Sequence, residues 1–214
     1  MIRRAFTLRL EPGALELYKQ HHDNIWPELV TEIERCGIAT MTAFVADPVV
    51  FYYSEIRDTD SWDRLWSTEI HDRWGELFKP LMAFNAEGRV DAGELREIFR
   101  LETSTEASAL RRAFSLQLEP GALAEYTEKH DNIWPELVQE IERLGIARMT
   151  AFEADPAVFY YSEILDESAW DGLWASEVHD RWAEMFKPLI AFTHDAQVDA
   201  RFMNEIFHLE TGAA

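Results

Sequence analysis

His22 follows Tyr18 by four residues, and His130 follows Tyr126 by four. On a helix that spacing stacks the two side chains on one face, one turn apart. An imidazole, unperturbed at a pKa of about 6.5, can take up and release a proton under ordinary conditions. A phenol beside it can orient the ring or bond a ligand hydroxyl. The pair suits a reaction in which one oxygen loses a proton while another gains one. A lone histidine near a helix end is more often a cap or a satisfied surface group. Here, though, the company is repeated too: HDNIWPEL stands at 22–29 and again at 130–137.

Other side chains with chemical potential also come in twos. His71-Asp72 and His179-Asp180 lie three residues before Trp74 and Trp182, on a neighbouring face of the same expected helix. Each is read either as a plain helix-surface pair or as part of the site. Trp26 and Trp134 precede a helix-starting proline, where a tryptophan makes a good hydrophobic staple, so they are core candidates first and site candidates second. Trp62, Trp66, Trp170 and Trp174 read as core. Glu55, Glu97, Glu163 and Glu205 fall inside strand patterns and need partners such as Arg96 or a pocket histidine; pairing there is read as structural first and acid/base second. No HExxH or comparable ligand spacing occurs, so no metal site is expected. Cys36, the single cysteine, is matched by Leu144 in the second copy and reads as a small buried hydrophobe.

The elements that must position these groups follow from the same repetition. AFTLRLEPGAL (5–15) matches AFSLQLEPGAL (113–123), TAFVADPVVFYYSEI (42–56) matches TAFEADPAVFYYSEI (150–164), and HDRWGELFKPL (71–81) matches HDRWAEMFKPL (179–189). The spacing is constant, so no insertion or deletion separates the copies. The expected division is a repeat over 1–103, a small polar linker over 104–110 (STEASAL), and a second repeat over 111–214.

Within a repeat, RRAFTLRL alternates as a strand does. A helix is expected to start at Pro12 and carry Leu15, Tyr18 and His22, ending near His22. Asp23-Asn24 makes a corner, and a second helix runs from Pro27 to Arg35, stopped by Gly37. IATMTAFVA and VVFYYSEI form a hairpin around Asp47-Pro48. Trp62, Trp66, Ile70 and Trp74 stand at four-residue steps on one long helix, and ELREIFRL closes with a strand. The order is βαββαβ, the ferredoxin-like pattern. Such a sheet leaves one face uncovered, so the expected fold is α+β: two tandem ferredoxin-like repeats packed sheet-on-sheet as a pseudo-dimeric α+β barrel.

Composition narrows the partners. Forty acidic against 20 basic side chains give a formal charge of −20, which repels phosphate backbones and anionic bilayers, so neither nucleic acid nor a membrane is expected. No apolar run approaches the roughly 20 residues of a membrane span, and the opening MIRRAFTLRL lacks the apolar stretch of a secretion signal. A cytoplasmic protein that binds a small molecule is the expectation. A 13% aromatic share is enough to line a cavity. The chain is expected to act as a monomeric pseudo-dimer or as a homodimer of it.

The run Tyr-x-x-x-His-x-x-Ile-Trp-Pro-Glu-Leu, at 18–29 and 126–137, resembles the L-rhamnose mutarotase family. The likeness spans nearly all of each repeat, from Arg3-x-Ala5-Phe6 through Glu55 and Arg73-Trp74 to Glu94-Leu95-x-Glu97-Ile98-Phe99. The resemblance implies a dimeric α+β barrel that exchanges the α and β anomers of a deoxy-sugar with neither metal nor organic cofactor. It implies His22 and His130 as the catalytic groups, with Tyr18, Tyr126, Trp74 and Trp182 contacting substrate. Three positions depart from the family. Its second-strand tyrosine is Met41 here and Met149 in the second copy, which places these methionines in the expected substrate shell. Its paired tryptophans are Trp74-Gly75 and Trp182-Ala183. Its Asn-Pro-Asp-Asn loop is Asn85-Ala86-Glu87-Gly88 and Thr193-His194-Asp195-Ala196. The expected function is a cofactor-independent sugar isomerase. The alternatives are another enzyme on the same barrel (an isomerase, cyclase or lyase of secondary metabolism) using these histidines on a non-sugar substrate, or a non-catalytic binding module.

Overall fold

The computed structural model describes residues 1–106 and 110–212; residues 107–109 of the expected linker lie outside the described residues. The first copy runs β1 (Ile2–Arg9), α1 (Leu15–Asp23), α2 (Pro27–Arg35), β2 (Ile38–Ala46), β3 (Val49–Ile56), α3 (Ser61–Trp66), α4 (Glu69–Phe78) and β4 (Ala92–Glu102). The second repeats it as β5 (Leu110–Gln117), α5 (Leu123–Asp131), α6 (Pro135–Arg143), β6 (Ile146–Ala154), β7 (Ala157–Ile164), α7 (Ala169–Trp174), α8 (Glu177–Glu184) and β8 (Ala200–Glu210). All pairings are antiparallel, and the hydrogen-bonded order β1-β3-β2-β8-β5-β7-β6-β4 closes on itself. This is the expected α+β barrel of two ferredoxin-like repeats.

The chain divides into two compact units: Met1–Leu95 with Asn204–Ala214, and Arg96–Met203. Repeat and unit are therefore different cuts of the chain. In the first unit the start of β4 pairs with β1 and the end of β8 pairs with β2. In the second, the start of β8 pairs with β5 and the end of β4 pairs with β6. Each unit has one apolar core, in which Tyr18, Trp62, Trp74 and Phe78, or Tyr126, Trp170 and Trp182, pack on the sheet. Trp66, read from the sequence as core, is instead exposed at the edge of the first cavity, where that unit's sheet ends beneath it.

One register row sets the floor beneath the helices. In the first unit Glu94, Phe6, Tyr52, Ala43 and Phe207 are successive Cα partners across five strands. In the second unit the row reads Phe202, Phe114, Tyr160, Ala151 and Phe99. Strand alternation sends all members of such a row to one face. The small alanine beside each tyrosine leaves room above the sheet.

Two helix boundaries differ from the sequence expectation. The first helix begins at Leu15, because Gly13 at φ 80° cannot continue a helix and Pro12 is left in the turn before it. The single long helix is two. Thr68 and Ser176, both extended, accept the backbone N–H of His71 and His179 at 3.3 Å and cap α4 and α8. A hydroxyl that caps one helix ends the one before it, so the tryptophan stripe is divided between α3 and α4. The break at Pro27 falls where the sequence places it, with Trp26 extended and Pro27 first in α2. Gly37, at φ 88°, ends that helix. Among the described residues no helix is long and apolar enough to cross a membrane.

Because these caps aim the helices that carry Trp74 and Trp182, Thr68→Ala and Ser176→Ala should each lower stability by about 1 kcal/mol. Urea denaturation measures it, and an unchanged midpoint for either would show that the cap is not what starts the helix.

Candidate functional site

His22 lies in the last turn of α1, buried at 6% exposure, and His130 in the last turn of α5 at 8%. Both ring nitrogens of each are partnered. His22 Nδ1 is 3.0 Å from the carbonyl oxygen of Tyr18, one turn earlier, and His130 Nδ1 is 2.9 Å from that of Tyr126. A carbonyl only accepts, so Nδ1 carries the hydrogen. In the neutral ring Nε2 is then an acceptor, and it receives the hydroxyl of Tyr52 at 2.8 Å, or of Tyr160 at 3.0 Å in the second copy. The phenol of Tyr18 in turn donates to Tyr52, with oxygens 2.5 Å apart, and Tyr126 bonds Tyr160 in the same way. The result is a directional chain, Tyr18 to Tyr52 to His22, built twice.

The surroundings are apolar. His22 packs edge-on against Phe78, Phe207 and Trp74, with ring centres 5.0, 5.0 and 6.1 Å away. His130 has Phe186, Phe99 and Trp182 at 4.9, 5.1 and 6.0 Å. Burial lowers both imidazoles from their usual value to about 4, against the carbonyl bond, which pulls the other way. The expectation of a ring titrating near neutrality is corrected: desolvation keeps it uncharged there. Burial also raises all four phenols, so they act as neutral hydroxyls.

Each chain borders a cavity, of about 410 Å³ in the first unit and about 570 Å³ in the second. Tyr18, His22, Met41, Trp74 and His71 all border the first; Tyr126, His130, Met149, Trp182 and His179 border the second. Burial lowers the pKa of His71 and His179 as well. Gly75 opens wall space in the first cavity, since a Cβ there would meet nothing within 4 Å, and Ala183 holds its place in the second. Trp26 and Trp134 border neither. They stand behind Trp74 and Trp182, edge-on with centres 5.2 Å apart, under the guanidinium groups of Arg73 and Arg181.

Glu55 and Glu163 point to the other face of the sheet. Glu55 accepts from Tyr53 at 3.1 Å, while Glu163 lies 3.3 Å from the Tyr161 hydroxyl and 3.4 Å from Arg148. Arg96, expected beside such a carboxylate, instead grips Glu153 through two hydrogen bonds. Among the described residues no group of three His, Cys, Asp or Glu side chains could hold a metal.

Sequence reasoning missed Tyr52 and Tyr160. Alternation separates Tyr52 from Tyr53 and Glu55, and the identical FYYSEI in both copies marks the strand. Nothing local says which face the helices cover. It also missed Ser54 and Ser162, each of which takes the indole N–H of a tryptophan, Trp62 or Trp170, and so fixes the wall.

The sequence profile of the family described as L-rhamnose mutarotase matches residues 3–101 and again 111–209. The L-rhamnose mutarotase of Bacillus subtilis is 33% identical over 104 residues, 48% of this chain and all of that protein. That of Oceanobacillus iheyensis is 29% identical over 104 residues, with the same coverage. Among solved structures, a candidate monooxygenase from Fusobacterium nucleatum shares the fold at a TM-score of 0.62 and 9% identity, covering 98% of this chain and 94% of that one. Another from Lactobacillus acidophilus does so at 0.56 and 10%, covering 99% and 98%. At such identity these two speak only to the fold.

The lowered imidazoles have a consequence for stability. Between about pH 6.5 and 4 the unfolded chain binds protons that the folded rings refuse, so stability falls as pH falls through that window. The loss should reach roughly 3 kcal/mol per ring by pH 4. Urea midpoints of the wild type and of His22→Gln/His130→Gln, compared from pH 7 to 4.5, should diverge in slope. Parallel curves would mean the rings are not held neutral.

Proposed function

The chain belongs to the L-rhamnose mutarotase family, and we propose that each of its cavities interconverts the anomers of L-rhamnose or a related deoxy-sugar without a cofactor. The observation that carries this is the doubled Tyr-Tyr-His chain on a cavity wall. Both volumes fall in the range of small-molecule pockets, roughly 300–1,000 Å³.

The chemistry runs on protons alone. The anomeric hydroxyl gives its proton to a wall phenol, whose own proton shifts along the chain until Nε2 of His22 or His130 holds one. As the bond between the anomeric carbon and the ring oxygen breaks, that oxygen takes the proton back through the same hydroxyls. The aldehyde turns about its carbon–carbon bond, and the steps reverse on the other face. Atoms and charges balance, and the imidazole ends as it began. A neutral ring is the right starting state, since an unprotonated Nε2, already accepting the Tyr52 or Tyr160 hydroxyl, can take that proton over. Trp74 and Trp182 offer aromatic faces to the sugar's apolar side and methyl group.

A second reading is favoured by one observation. The phenols and imidazole bond one another, and Met41, Met149, Gly75 and Ala183 add no hydrogen-bonding side chain. That lining also suits a less polar ring compound handled by the same histidines. A thermal-shift panel of deoxy-sugars against aromatic polyketide-like compounds separates the two; stabilisation by the aromatic set alone favours the second.

Saturation-transfer NMR on the anomeric protons tests the first reading. The His22→Ala/His130→Ala protein should exchange anomers at least about 100-fold more slowly than wild type. The wild-type rate, corrected for solvent catalysis, should hold down to about pH 5 and drop as the pH passes about 4, where the rings gain a proton. Equal rates in the two proteins would remove the histidines from the reaction.

A further inference from the structure

The two floor rows are alike except at one end, where Glu94 in the first unit is replaced by Phe202 in the second. Both side chains border their cavities and both meet solvent, Glu94 with a side chain 65% exposed and Phe202 at 54%. They stand at the rim, where a bound ligand presents its outer end. From this exchange and the neighbours it recruits, we propose that the cavities are not redundant: the first selects a ligand whose outer edge carries hydroxyls, and the second one whose outer edge is aromatic or otherwise apolar.

In the first unit Arg4 Nε donates to Glu94 Oε1 at 2.8 Å, another of its nitrogens lies 3.5 Å from Asp63, and its guanidinium sits 5.1 Å from the ring centre of Trp66. Arg4 and Glu94 both border the cavity. A carboxylate and a guanidinium side by side supply acceptors and donors at fixed spacing, which vicinal hydroxyls satisfy together. An apolar group seated there would strip water from the carboxylate and give nothing back.

In the second unit the matching arginine is used differently. Arg112 donates to the carbonyl of Glu167 at 3.0 Å, reaches Asp171 at 3.5 Å, and lies over Trp174 and Phe202, 5.5 and 4.9 Å from their centres. It does not border the cavity, whereas Trp174 and Phe202 do, with centres 5.4 Å apart and planes tilted by 58°. The rim there carries an aromatic pair backed by a cation, beside the exposed side chains of Asp180 and Gln197, and the pair favours stacking of a ring or an apolar face. The larger volume of this cavity leaves space for the extra group.

The inference rests on the reading that both cavities hold a sugar, and the test keeps the two apart. Each cavity has a methyl reporter of its own: Met41 borders the first and Met149 the second. With ¹³C-methyl methionine in the full chain, L-rhamnose and 4-O-benzyl-L-rhamnose are titrated and each methyl shift is followed. The benzyl ether should bind about tenfold more tightly at Met149 than at Met41, and L-rhamnose more tightly at Met41. Phe202→Glu should abolish the benzyl preference, and Glu94→Phe should bring it to the first cavity. The same affinity order at both methyls for both probes, or a preference that survives Phe202→Glu, overturns the inference while leaving the sugar reading intact. If neither probe moves either methyl, both fall.

Discussion

The backbone carbonyl of Tyr18, and of Tyr126 in the second copy, decides how everything near it behaves. By holding Nδ1–H of the imidazole one turn later, it assigns the hydrogen to one nitrogen and the lone pair to the other. That assignment makes Nε2 an acceptor, orients the hydroxyl of Tyr52 or Tyr160, and through it the phenol of Tyr18 or Tyr126. An imidazole enclosed by three aromatic rings could not be buried with either nitrogen unpaired, because a desolvated polar atom without a partner costs on the order of 1–3 kcal/mol. Among the described residues no buried side-chain nitrogen or oxygen is left unpaired. A helix supplies the carbonyl at the right height; the neighbouring strands supply the second phenol.

Duplication within one chain changes what the copies can do. The interior of each cavity is conserved between them to the level of register: tyrosine, alanine and phenylalanine on the floor, histidine and tryptophan on the wall. Divergence falls where Glu94 is matched by Phe202, Gly93 by Arg201, Gly75 by Ala183 and Met82 by Ile190. Changes there leave the Tyr-Tyr-His hydrogen bonds intact in both copies. The closing strands also run on past their own repeat: β4 and β8 each begin in one compact unit and end in the other. Each unit's floor therefore ends in an aromatic residue, Phe207 or Phe99, that comes from the other repeat's last strand.

The same architecture at 9–10% identity accompanies proteins described by a different chemistry. The barrel is a frame that offers a helix-covered sheet face, and the side chains on that face set the chemistry. Here those side chains are a neutral imidazole and two phenols in an aromatic cavity, a set suited to moving protons between oxygens.

By itself the sequence determined the repeat, the βαββαβ order, the corner at Pro27 and the pairing of Tyr18 with His22, because each rests on contacts within a few residues of chain. Periodicity, proline geometry and one-turn spacing are local physics, and they read directly. The break at Thr68 was legible in principle but lost, since a hydroxyl chooses between capping and facing water only when the helix beyond it has something to pack on. What the tertiary structure alone decided is the role of Tyr52 and Tyr160, the neutral state of the histidines, and the placing of Glu55 and Glu163 away from the cavities. Each depends on which face of β3 or β7 the helices cover. That choice is made by burial of the whole sheet, a sum over residues far apart in sequence, and no stretch of neighbouring letters records it.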